Sequence, residues 1–128
     1  MRNATTAVVL FAHGSSVESA NEAVREVGRQ MARESGWIVE AAFLDGGSPD
    51  LRGAVAALAA RGVERVVVAP YFLTTGLHLQ RDLPRLVKDV MREHRKLRVT
   101  VTPPLDGHPA LVRILLDRAS AAIAEAEE

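Results

Sequence analysis

Two segments of the chain are almost continuously apolar and rich in valine: residues 7–12 (AVVLFA) and residues 65–70 (RVVVAP). A strand that reads this way is covered on both faces, as in the middle of a parallel sheet. Residues 37–43 (WIVEAAF) and 97–102 (LRVTVT) are interrupted or alternating, which suits strands at the sheet edges. The first and third strands are then central, and the second and fourth lie outside them. Right-handed crossovers turn this pattern into strand order 2-1-3-4, a doubly wound α/β fold with a four-stranded parallel sheet and helices on both faces.

Helical periodicity fills the intervals. The run Ser19-Ala20-Asn21-Glu22 predicts a capping box at the start of the first helix, which Gly36 closes. Ser48 and Pro49 predict the start of a second helix, with Leu51, Val55 and Leu58 on its buried face and Gly62 as its stop. Asp82 predicts the cap of a third, whose Leu83, Leu86, Val87, Val90 and Met91 form one apolar stripe. A fourth, from about Pro109, is expected to bury Leu111, Ile114, Leu115 and Ile123. Four β-α units account for the chain, so residues 1–128 are expected to form one domain.

Composition narrows the chemistry. The 128 residues are 48% hydrophobic and 25% charged, a balance typical of a globular protein with a real core. Sixteen basic residues offset sixteen acidic ones, so neither nucleic acid nor a membrane surface is an expected partner. The absence of cysteine excludes disulfides, thiolate metal sites and cysteine nucleophiles. No apolar stretch reaches the ~20 residues that span a bilayer, and no leader pattern opens the chain, so the expected address is cytoplasmic.

In open α/β sheets ligands bind beyond the carboxyl ends of the strands, where the strand order reverses. Here that point lies between the first and third strands. His13-Gly14-Ser15-Ser16 follows the first strand and Leu44-Asp45-Gly46-Gly47 the second. The stretch from Tyr71 through Gly76 to His78 follows the third, and Asp106-Gly107-His108 the fourth. His13 and His78 come from the two central strands and should be neighbours. Two imidazoles near a carboxylate suit a borderline divalent ion, and imidazole also titrates near neutrality, where it can accept a proton. Asp45 reads equally as a ligand, a proton acceptor or a turn residue before two glycines. His108 reads best as the cap before Pro109, and His94 as a complement to a helix C-terminus. Gly14-Ser15-Ser16 is only a weak phosphate-binding signal.

Three segments carry a resemblance. The strand followed by His13-Gly14-Ser15, the Phe43-Leu44-Asp45 segment leading to Pro49, and VVVAPYFLTTGLHLQRDLP at residues 66–84 resemble the short sirohydrochlorin chelatases of the CbiX type, related to the ferrochelatases. The similarity runs over nearly the whole chain. It implies insertion of a divalent metal (cobalt or iron, or else nickel, with Zn2+ able to substitute) into sirohydrochlorin or a related tetrapyrrole, as in cobalamin or sirohaem biosynthesis. It makes His13 and His78 the metal-binding pair and Asp45 their assistant, with no cofactor beyond the metal substrate. It implies a homodimer, each subunit equivalent to half of a two-lobed chelatase. Family members usually carry glutamate where this chain has Asp45, and often arginine where it has Ser16. A shorter carboxylate matters, because a misplacement of about 1 Å can cost a hundredfold in rate.

A tetrapyrrole with many carboxylates needs cationic anchors and an apolar floor. Arg52, Arg81 and Arg85 are candidates for the first. Phe72, Leu73 and Leu77 are candidates for the second, with Ser15, Ser16 and Gly76 lining the same loops. Two rivals stand beside this reading. One is a non-catalytic metal or tetrapyrrole carrier on the same scaffold. The other is a phosphoryl-transfer enzyme with His13 as nucleophile, against which Ala12 counts because histidine phosphatases place arginine there.

Overall fold

In the computed structural model, which describes residues 5–126, four strands and four helices alternate. The strands are β1 (Thr6–Ala12), β2 (Ile38–Phe43), β3 (Arg65–Pro70) and β4 (Arg98–Val101). They form one sheet in the order β2-β1-β3-β4, every pair parallel, as the apolar pattern predicts. The helices are α1 (Glu18–Ser35), α2 (Leu51–Ala60), α3 (Gly76–Glu93) and α4 (Ala110–Ala126).

Side-chain alternation in β1 shows how both faces are used. Ala7, Val9 and Phe11 join Val55 and Leu58 of α2 and Leu79, Leu83 and Val90 of α3 in one buried cluster. Val8, Leu10 and Ala12 point the other way and are also buried. There α1 covers them, approaching closely at Gly28, where an added Cβ would lie 3.6 Å from Val39 and 3.9 Å from Leu10. On this second face α1 reaches over β1 and β2. The neighbouring strip of β3 is less well covered, and Val67 and Ala69 are only half-buried.

Four local expectations are corrected. The capping box at Ser19 does not form: Val17 precedes the first residue of α1, no side chain caps it, and Ser19 lies inside the first turn. Asn21 is buried instead, beneath the loops. Asp50, not Ser48, caps α2, its Oδ1 accepting the Gly53 N–H at 2.8 Å. Pro49 follows a cis peptide bond, and its carbonyl accepts the Phe43 N–H at 2.9 Å. The third helix begins six residues before Asp82, at Gly76. Buried Leu79 extends the stripe of Leu83 and Val90 backwards, and that burial outweighs Pro84, which lacks the N–H an interior helical residue would donate. His78 therefore sits in the first helical turn rather than in a loop.

The largest correction concerns α4. Val112, Ile114, Leu115, Leu116 and Ile123 are between 50% and 66% exposed, Leu111 is half-buried, and no described residue of this helix is buried. The apolar stripe that predicts a core-facing helix is present, but the described residues leave it largely uncovered.

Leu58→Ala should cost about 2–5 kcal/mol in urea denaturation, because it opens a cavity among fully buried neighbours. A loss below about 1 kcal/mol would mean that the cluster between α2, α3 and the sheet is not the stabilising core.

Candidate metal-handling site at the carboxyl edge of the sheet

The loops after β1 and β2 are stitched together by their backbones. Leu44 N–H donates to Ala12 O at 2.9 Å, and Asp45 N–H donates to His13 O at 2.8 Å, extending the parallel ladder past the ends of the strands. The loops then cross at Gly14. This residue has φ +92°, and a Cβ on it would lie 1.5 Å from the Asp45 carbonyl oxygen. Gly46, at φ +68°, returns the approach against the backbone of Ser15, at 3.0 Å for an added Cβ. Only glycine fits a left-handed conformation at so close a crossing.

A side chain completes the stitch. Asn21 Oδ1 accepts the Ser15 N–H at 2.9 Å, while its Nδ2 donates to Ser15 O at 2.8 Å and to Gly46 O at 3.1 Å. The Ser15 hydroxyl accepts the Val17 N–H at 3.0 Å, which turns the chain into α1. Ser15, expected to line the substrate site, is thus committed to the local turn, while Ser16 beside it is exposed.

The loop after β3 is joined to the same centre. Tyr71 N–H donates to Phe11 O at 2.7 Å, and the Phe72 ring meets Phe11 edge-on at 6.1 Å between centroids. The His13 ring meets Phe72 in the same way at 6.4 Å. Phe72 is therefore a half-buried platform on which His13 rests, serving core and site together. The loop after β4 closes the row, with Leu105 N–H bonded to Phe72 O at 2.9 Å and Asp106 N–H to Leu73 O at 2.8 Å. His108 Nδ1 accepts the Ala110 N–H at 3.0 Å and caps α4, as its position before Pro109 suggests.

His13, His78 and Asp45 are all exposed at this edge. The Asp45 side chain accepts the Gly46 N–H at 2.8 Å through Oδ1, so the turn role is real, and its second oxygen has no partner among the described residues. Among the described residues, no group of three His, Asp or Glu forms a ready-made metal cluster. His13 and Asp45 are tied together through their backbones, and His78 stands apart from them in the first turn of α3, with no hydrogen bond or ring contact to either among the described residues.

The arginines divide. Arg81 and Arg85 lie three and seven residues after His78 on α3, which puts all three on one helical face. Both are exposed and form no ion pair among the described residues. Arg52 is instead bonded to Glu93 at 2.7 Å. Glu93 is the last residue of α3, roughly 22 Å of helix from His78. This pairing draws Arg52 away from the edge where it was expected. Leu73, Leu77 and Gly76 are exposed there, and Tyr71 and Leu105 add apolar surface that periodicity alone did not single out.

Gly14→Ala should disrupt this site more than the fold. The expected result is a native far-ultraviolet circular dichroism spectrum with shifted amide resonances for residues 13–16 and 44–47. Unchanged resonances there would contradict the crossing geometry.

Comparison with known proteins places the chain. The sequence model of the CbiX family matches residues 7–122. A chloroplastic sirohydrochlorin ferrochelatase from Arabidopsis thaliana is 30% identical over 112 residues, covering 87% of this chain and 50% of the plant protein. This chain thus spans half the length of that relative. A sirohydrochlorin cobaltochelatase from Methanococcoides burtonii is 25% identical over 121 residues, covering 88% and 92% of the two chains. The crystal structure of a cobalamin (vitamin B12) biosynthesis CbiX protein from Marinobacter aquaeolei superposes with a TM-score of 0.84 at 26% identity, covering 94% and 98%. With its family-wide match, its sheet order and its histidine-bearing edge, this chain belongs to the CbiX family.

Proposed function

We propose that this protein inserts a divalent metal, cobalt or iron and alternatively nickel, into sirohydrochlorin or a close relative of it. The observation that carries the proposal is the meeting of three loops at one sheet edge, which sets His13 on Phe72 and Asp45 against the backbone of His13. Insertion exchanges two pyrrole N–H protons for one dication, so two protons must leave for each ion delivered. His13 and His78 hold the incoming ion through imidazole nitrogen and take up protons as the ring nitrogens replace them. The free oxygen of Asp45 assists proton removal. Arg81 and Arg85, without an ion pair among the described residues and in line with His78, grip peripheral carboxylates of the macrocycle. Exposed Leu73 and Leu77, with the edge of Phe72, offer its flat face an apolar floor. Ser16 and Gly76 line the same rim. The single-domain organisation, the cytoplasmic address and the need for no cofactor beyond the metal substrate belong to the same proposal.

His13→Ala and His78→Ala should each lower cobalt affinity and insertion rate by at least about 10–100-fold, the loss typical of removing even an indirect metal partner. Asp45→Ala should slow turnover more than it weakens metal binding, and Asp45→Glu should keep or raise the rate. Cobalt titration and the absorbance change of sirohydrochlorin, measured side by side, check both. Wild-type-like binding and insertion by the two histidine variants would remove the chelatase site from this edge. Metal binding without turnover by the wild type would favour the carrier reading.

The same proposal includes a homodimer. The apolar stripe of α4 and the half-covered strip at Val67 and Ala69 are complementary deficits, and each copy carries both. A second copy that brings its α4 stripe onto such a strip satisfies the two together, and the pairing is reciprocal, as two-fold symmetry requires. Because α4 follows directly from the loop that touches Phe72 and Leu73, pairing also walls the open edge. Sedimentation at tens of micromolar should give the dimer mass, and Leu115→Glu should give the monomer. A monomeric wild type, with and without sirohydrochlorin, would overturn this part.

A further inference from the structure

Among the described residues Asn21 is the only buried polar side chain, with 1% of its surface exposed. It belongs to α1, yet its amide reaches neither helix backbone nor solvent. Its oxygen faces one N–H, that of Ser15, and its nitrogen faces two carbonyls, those of Ser15 and Gly46. A third, longer contact runs from Nδ2 to Glu18 at 3.4 Å. The arrangement fits one orientation of the amide, since a flipped Asn21 would set oxygen against two carbonyl oxygens. Space is tight as well, because a Cβ on Gly47 would lie 3.1 Å from Nδ2. One side chain thus clamps the backbone two residues after His13 to the backbone one residue after Asp45.

We infer that Asn21 is a positioning residue, which fixes the His13 loop against the Asp45 loop and so sets the separation of imidazole and carboxylate at the metal-handling edge. This rests on the chelatase reading above. Asn21 touches neither metal nor macrocycle and acts through Ser15 and Gly46. His13 and Asp45 are exposed, and beyond the edge contact of His13 with Phe72 and the Asp45–Gly46 hydrogen bond their side chains have no deep packing to hold them. The backbone beneath them is the main remaining source of preorganisation, and among the described residues Asn21 is the one side chain that clamps the two loops together. The macrocycle's carboxylate anchors lie on α3, beyond reach of this clamp, so Asn21 governs the rate and metal affinity but not the KM for sirohydrochlorin.

The test uses Asn21→Ala, which removes the clamp, and Asn21→Asp, which keeps its shape and its acceptance from Ser15 but sets a carboxylate against two carbonyls. Val55→Ala, in α2 on the opposite face of the sheet, serves as a control with a lowered melting temperature. Both Asn21 variants should lose at least about tenfold in kcat for cobalt insertion and about tenfold in Co2+ affinity, with KM for sirohydrochlorin changed less than threefold. Val55→Ala should keep wild-type kcat at temperatures where it is folded. Folded Asn21 variants with kcat and Co2+ affinity within twofold of wild type overturn the inference. So does loss of the native circular dichroism spectrum in both, since Asn21 would then be required for folding rather than for geometry. If the wild type itself inserts no metal, the chelatase reading fails, and the Co2+ affinities alone decide the role of Asn21.

Discussion

Beyond the end of β1 the chain passes so close to the loop from β2 that no side chain fits between them. The Gly14 α-carbon faces the Asp45 carbonyl at a distance that leaves no place for even a methyl group, and Gly46 meets the Ser15 backbone in a tight but less extreme contact. The crossing exists because the β1–β2 ladder continues for two further hydrogen bonds, to Leu44 and Asp45, before the strands part. The placing of the candidate residues at this edge depends on it. His13 immediately precedes the crossing, Asp45 is its other wall, and the Phe72 platform is tied to β1 through Tyr71. A sheet with β1 at the edge could not gather these loops. The central place of β1, set by its lack of any polar residue between Ala7 and Ala12, is the sequence-level cause.

That cause was legible in the sequence, and so were the strand order and the histidines at the carboxyl edge. What was not legible shares one physical reason: it depends on which side chain meets which backbone across loops. Asn21 reads locally as part of a capping box, whereas its partners Ser15 and Gly46 come together only once β2 has paired with β1. Asp82 reads as a cap because Asp favours that place, but a cap typically contributes ~1 kcal/mol, while burying a leucine such as Leu79 contributes about 1.5–3 kcal/mol. Arg52 looked free until its pairing with Glu93 was visible. In each case a tertiary contact outweighed a local preference.

The fourth helix is the instructive failure. Its periodicity is that of a buried helix, and the inference from stripe to core is sound physics: a surface that apolar does not face water without consequence. The inference went wrong in assuming that the other described residues supply the covering surface. Val67 and Ala69 point to the same imbalance from the sheet side, because a central strand with a half-covered face is as incomplete as a helix with a bare stripe. Periodicity reports that a face wants burial and is silent on who buries it.

The openness of the edge bears on whether the proposed site would transfer metal or merely store it. Structural zinc sites are closed, with four protein ligands and no position left for exchange. Here two imidazoles stand on separate elements, and Asp45 already spends one oxygen on the Gly46 N–H. In the proposed site, two imidazole ligands would leave most of an ion's coordination to water and so open to the ring nitrogens. A third firm ligand would deepen the resting state and raise the barrier to release without helping the ring deprotonate, since only interactions that grow toward the transition state speed the reaction. A sparse ligand set on a rigid frame is what delivery asks for. The frame comes from backbone ladders, Gly14 and Asn21, none of which need touch the ion.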